Sequence, residues 1–272
     1  IKMTGRHLIN INNVNMEYTG NSNSNYRSLF FTDSHNSEGG NSIGHQWILD
    51  NKTKVTLKGQ KIVLFSVQSH GTSGSSGMTN NGTINLDNSL ANSGNRIVFT
   101  TLNDEIAGNV GRDFYFVNSS TGKITLSGTN DLLANFDTPG TVAGTGVRFE
   151  NYGEITLNGD SSKGIVVKPL KPTSKTTAGD TKIILSSPIT LNGDNSIGII
   201  LNRQINLGLS TLNFNIGTAV NDPTSTGNSG ANDPGLVEKA IGLYYNITAP
   251  ETLASSTLTN YNINFGDYAK DS

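Results

Sequence analysis

Cysteine is absent from the 272 residues, which excludes disulfide frameworks and thiolate metal sites. The same absence suits a chain that crosses an oxidising compartment unfolded. Charge is scarce: only 15% of residues are charged and the net charge is -2, so neither a basic footprint for nucleic acid nor an acidic tail is present. No nucleic-acid partner is indicated. No apolar run approaches the roughly 18 residues of a membrane helix, and no signal peptide opens the chain, which starts at Ile1. That start reads as a mature or excised piece of something longer. Helical periodicity is missing as well. What abounds is turn chemistry, with 31 glycines and 36 asparagines, residues that tolerate positive φ at little cost.

Short alternating segments recur along the chain as KVTL (54–57), TINL (83–86), KITL (123–126), EITL (154–157) and PITL (188–191). Each has the period-two pattern of a strand with one buried face. Their isoleucine-type positions lie 29, 40, 31 and 34 residues apart, a spacing that marks a solenoid, propeller or array. A second strand type lies between them, as GIVV (164–167), GIIL (198–201), GVRF (146–149) and GLYY (242–245). With no helices to cross over, a parallel sheet must be wound by strands and turns alone. The expectation is an all-β fold, a right-handed parallel β-helix running continuously from 1 to 272. Stacking places Ile84, Ile124, Ile155 and Ile189 in one internal row and Leu86, Leu126, Leu157 and Leu191 in the next. Thr and Asn between them face water. Four stretches of irregular composition, 17–42, 68–82, 168–182 and 217–238, read as loops protruding from coil corners.

Chemistry is sparse. GDSS at 159–162 contains a serine in a tight turn, but an offset of 34 places Ser161 on Asn195, which marks a turn slot rather than a nucleophile. His7, His35, His45 and His70 show no metal-like spacing. Carboxylates such as Asp104, Glu105, Asp131, Asp137, Asp222 and Asp233 sit in loop-like text, whereas β-helical polysaccharide-cleaving enzymes need them clustered on one face. No catalytic residue, metal site or cofactor is expected. Binding is the better use of what remains. Tyr26, Arg27, His45 and Trp47 gather near the N-terminus with Phe30 and Phe31, and Trp, Tyr and Arg are favoured at binding hot spots. The alternative is that Phe30, Phe31 and Trp47 fill a wide coil. Lys168, Lys171 and Lys175 could meet an anionic surface.

The run NYGEITLNGDSSKGI, from Asn151 to Ile165, resembles the passenger repeats of monomeric autotransporter adhesins, most closely the large fusobacterial outer-membrane adhesins. The resemblance covers most of the chain from about residue 54 onward. It implies export to the bacterial cell surface, anchoring through a C-terminal outer-membrane barrel not contained in this sequence, and binding of host receptors, host glycans or other bacteria. It also implies a monomer that is not an enzyme. The rivals are a β-helical polysaccharide lyase or hydrolase and a plain structural spacer. No residue-level binding motif of that family can be placed on this chain.

Overall fold

The computed structural model describes residues 2–3, 7–20, 27–33, 45–68, 76–87, 93–101, 114–136, 147–167, 182–202, 205, 210–218, 237–246, 260–266 and 269–270. Among them there is no helix, and every strand pairing is parallel. As far as Lys182–Leu185 each strand pairs with the strand three places further on, so three walls are built in turn. The fold is all-β and β-helix-like.

The first wall is an eight-stranded sheet that begins at Lys2–Met3 and ends at Ile241–Tyr245. The second wall runs from His7–Ile11 through His45–Leu49, Ser76–Asn80, Phe114–Asn118 and Val147–Asn151 to Lys182–Leu185. The third starts at Asn15–Gly20 and carries the x-Ile-Thr-Leu strands. Second and third walls fuse at Thr211–Ile216. Thr211 pairs there with Ile184 of the second wall, while Phe214 and Ile216 pair with Ile189 and Leu191 of the third.

The predicted rows are present in register. Val55, Ile84, Ile124, Ile155, Ile189 and Phe214 stack as one internal row; Leu57, Leu86, Leu126, Leu157, Leu191 and Ile216 form its neighbour, and all are buried. The intervening Thr56, Asn85, Thr125, Thr156 and Thr190 are only partly exposed. The second wall adds Trp47, Met78, Phe116, Phe149 and Ile183, with the Phe116 and Phe149 rings stacked 5.1 Å apart.

Two features of the strand assignment need correction. GVRF was grouped with GIVV, GIIL and GLYY, yet Val147–Asn151 belongs to the second wall and the other three to the first. Alternation alone cannot separate two walls that both bury one face. The glycine also does different work. A Cβ at Gly198 or Gly242 would run into the Phe214 ring, so these positions are left bare to admit a bulky neighbour. The loop boundaries shift too: Arg27–Asp33 and most of Asn15–Gly20 fall inside 17–42, and Ser76–Asn80 inside 68–82, all as strands. Their polar text is recruited because the adjoining coils supply pairing partners. Of the later two stretches, Lys182 opens a strand and Val237–Glu238 pairs with Ala269–Lys270; 168–181 and 219–236 lie outside the described residues.

Corner chemistry is periodic as well. Lys61, Gly94, Asn130, Ser161, Asn195 and Lys239 all have φ between 54° and 62°, each two residues ahead of a register-matched first-wall position. In the first four, the N–H donates to a carbonyl of the next coil: Ser93, Thr129, Asp160 and Asp194 respectively. Ser161 is therefore a left-handed turn residue stacked on Asn195. At the opposite corner Asn80, Asn118 and Asn151 are fully buried and form a carboxamide ladder. Asn80 Nδ2 donates to Asn118 Oδ1 (2.9 Å), and Asn118 Nδ2 donates to Asn151 Oδ1 (2.8 Å). Leu49 and Leu185 close its two ends.

Candidate functional site

The three corners differ in how much chain they absorb. Between second- and third-wall strands the connection takes two to four residues, whereas between first- and second-wall strands it takes three in the first coil and seven to fourteen in the later ones; the longest connection, twenty residues, separates Ile216 from Val237 before the last first-wall strand. All second-wall strands after the first thus emerge from a corner that takes long insertions, and their first outward side chains sit at its mouth.

One outward row of that wall reads Leu8, Gln46, Gly77, Tyr115, Arg148 and Lys182. Its parallel neighbour carries Ile48, Thr79, Val117, Glu150 and Ile184. Parallel register sets Arg148 directly beside Tyr115, with its Cζ 5.8 Å from the ring centroid, inside cation–π range. Period two puts Glu150 on the same face as Arg148, and Arg148 Nε meets Glu150 Oε1 at 3.1 Å. The Tyr152 hydroxyl, at the corner beyond, donates to Glu150 Oε2 (3.1 Å). Glu150 is thereby held from two sides and only 13% exposed, while Arg148 remains 52% exposed.

Tyr115 owes its pose to Gly77. A Cβ at residue 77 would fall within the Tyr115 ring, so the bare backbone of one strand serves as the bed on which the ring of the next lies. Burial pushes the Tyr115 hydroxyl up from its ordinary value, and the Arg148 charge partly opposes this. Burial and then the Glu150 carboxylate push Tyr152 up. The result is a small platform with an aromatic surface, a guanidinium, a restrained carboxylate and the exposed Lys182. Such a set can stack on a planar or apolar face while hydrogen-bonding polar groups at its rim.

The residues expected from sequence fare differently. Trp47 is 3% exposed, with its ring 5.0 Å from Phe30 and 5.7 Å from Phe65. It points inward in a row with Ile9 and Met78, so it fills the coil and offers no contact area; Phe30 does the same. Arg27 and His45 begin strands, and the backbone register pairs His45 with His7, but their side chains lie outside the described residues. So do Tyr26, Lys168, Lys171 and Lys175 entirely. Lys168, Lys171 and Lys175 belong by sequence to the long-insertion corner, between Val167 and Lys182. Among the described residues no three His, Cys, Asp or Glu side chains gather as a metal site. Sequence reading passed over Tyr115, Arg148 and Glu150, although Arg148-x-Glu150-x-Tyr152 carries the period-two signal of one outward face. Neither family models, nor curated proteins, nor solved structures give a match to this chain.

Proposed function

We propose that the chain is a segment of a bacterial surface adhesin, a right-handed β-helical stalk whose long corner and adjoining outer face bind a host receptor, a host glycan or another bacterium. In this reading it belongs to an autotransporter passenger held at the outer membrane by a barrel carried elsewhere. The observation that carries it is the Tyr115, Arg148 and Glu150 cluster on the outer face beside a corner whose connections run to fourteen residues. Rigid strands with protruding, length-variable connections are the usual way to present a binding surface. The rival hydrolase has less support. Acid–base hydrolysis takes two carboxylates, and among the described residues Glu150 is the one carboxylate in the cluster, tied by Arg148 and Tyr152.

The test is binding of the purified chain to host cells or immobilised host glycoproteins. Tyr115→Ala and Arg148→Ala should abolish it without lowering the melting temperature. Gly77→Ala should weaken it too, by lifting the ring off its bed while leaving tyrosine in place. Full binding by all three variants rejects the face; a wild-type chain that binds nothing favours the spacer.

A further inference from the structure

Where two charged side chains meet across strands elsewhere on this molecule, they are of opposite sign. Lys123 and Glu154 stand in direct register and meet at 3.3 Å, and Lys58 reaches Glu17 of the neighbouring strand at 3.0 Å. Arg148 and Lys182 break that pattern. They are direct register partners on the outer face of the second wall, and both are exposed. Among the described pairings this is the one place where two lysine or arginine residues stand opposite each other. Neighbouring strands lie about 4.8 Å apart, and like charges directly opposite are destabilising. No carboxylate pairs with Lys182 among the described residues.

Glu150 does not supply the missing counter-charge. It is held by Arg148 Nε and the Tyr152 hydroxyl and flanked in register by the partly buried Val117 and Ile184. It therefore orients the guanidinium and leaves a net charge of +1 on the three groups, two cations against one carboxylate. A guanidinium has five N–H donors, so the terminal nitrogens of Arg148 remain for an incoming acceptor. The sequence leading into Lys182 has the same sign: from Lys168 to Lys182 there are four lysines and one aspartate, in a chain of net charge -2. Next to this cation pair is the Tyr115 ring. The ring atoms nearest to where a Gly77 Cβ would stand are Cζ, Cε1 and Cε2, at nearly equal distances, so one ring face meets the backbone and the other looks away from it. An aromatic face beside an uncompensated pair of cations matches a pyranose bearing an acid group, since such a sugar has an apolar C–H face to stack and an anion at its rim.

We propose that this face recognises an anionic saccharide, a pyranose carrying a carboxylate or sulfate. The sugar's C–H face lies on Tyr115, and its acid group takes charge-assisted hydrogen bonds from Arg148. Lys182 adds a second positive charge on a flexible stem, and the bound anion supplies the counter-charge that the two strands lack. The inference rests on the reading of the Tyr115 face as a binding surface and narrows its partner to one chemical class.

The test is biolayer interferometry of the full chain on immobilised hyaluronan and its carboxyl-reduced form, dextran sulfate and dextran, and polyglutamate. At least one acidic saccharide should bind at least about tenfold more tightly than its neutral counterpart, and comparing hyaluronan with dextran sulfate tells carboxylate from sulfate. Polyglutamate, which has acid groups without a sugar ring, should bind at least about tenfold more weakly than that saccharide. Lys182→Glu should remain folded by circular dichroism and bring the acidic saccharide down to the level of the neutral one; if it does not fold, Lys182→Gln replaces it, with a smaller loss. Three results each overturn the proposal: acidic and neutral saccharides that bind equally, acidic saccharides that do not bind, or polyglutamate that binds as tightly as they do. The last would mean a surface for acidic peptides. Host-cell binding measured in parallel separates the two readings. Cell binding that requires Tyr115 yet is not competed by either acidic saccharide removes this inference alone, whereas acidic-saccharide binding without cell binding supports it and removes the adhesin reading.

Discussion

Ser162 and Ser196 occupy one buried corner slot in successive coils, and the slot treats them differently. The Ser162 hydroxyl donates to the Gly128 carbonyl (2.9 Å), whereas Ser196 Oγ is buried with no hydrogen-bond partner among the described residues. Ala240 fills the same slot one coil later. Ser162→Ala should therefore cost about 1 kcal/mol, and Ser196→Ala should be neutral or stabilising, as urea midpoints will show. One coil before Ser162 the slot holds Asp131. Burial drives its carboxyl up to about 6, against hydrogen bonds from Ser93, the Asn95 N–H and the Gly128 N–H that favour the charged form. The folded value lies above the ordinary 3.8, so the folded state holds this proton more tightly than the unfolded chain does. Its contribution is fully present below about 3.8 and lost as pH rises through about 6, a difference worth about 3 kcal/mol. Urea midpoints should fall across that window in the wild type, and Asp131→Asn should remove that part of the pH dependence. Asp50, exposed and lowered chiefly by its bond from Thr53, acts in the opposite sense, so the comparison of the two proteins is what isolates the slot. At this scale the Ser161 turn was legible from the Asn195 alignment. The Asp131 slot was not, because Asn95, Asp131, Ser162 and Ala240 share a position rather than a residue type.

Strand register makes sharper demands. Leu157 is internal and pairs with Leu126 and Leu191, while Thr156 looks outward. Truncating a buried leucine costs about 2–5 kcal/mol and an unpaired buried charge adds to that, so Leu157→Asp should unfold the chain or nearly so, with Thr156→Asp mild. Equal melting shifts would mean the faces are exchanged. The internal and external asparagine ladders offer a second contrast. Asn118→Ala leaves Asn80 Nδ2 unpaired in the core and leaves Asn151 Oδ1 only the Gly153 N–H, so it should cost about 2–4 kcal/mol, whereas Asn215→Ala, at the Asn264 contact, should cost under about 1 kcal/mol. Thermal melts distinguish the two. The third wall was readable because x-Ile-Thr-Leu repeats with little variation. Ser76–Asn80 was not, since SGMTN has no strand propensity of its own, and its Gly77 is there to seat Tyr115. Trp47 misled for a related reason: composition can say that an aromatic cluster exists, but only register says which way it faces.

Across the molecule, stability is a sum over neighbouring coils rather than the property of one core. Amide exchange should accordingly be slowest in the strands between Phe114 and Leu201, which are paired on both sides, and fastest in 7–20 and 260–266. Uniform protection from end to end would contradict this. The overall winding was foreseeable from period and composition alone, and the binding face was not, because it is assembled from strands more than thirty residues apart, with Gly77, Tyr115 and Arg148 adjacent only after coiling. The parallel pairing also fixes an exchange rate between chain and length. Each coil advances the stack by one strand spacing, about 4.8 Å, and the step from Gly159 to Gly193 consumes 34 residues. That is about 0.14 Å per residue, a tenth of the 1.5 Å that an α-helix gains. A chain spent so lavishly gains little reach and a thick cross-section instead. Bending such a rod must stretch the hydrogen bonds of one wall while compressing another, so what this architecture delivers is stiffness, and anything mounted on its face keeps its orientation against shear.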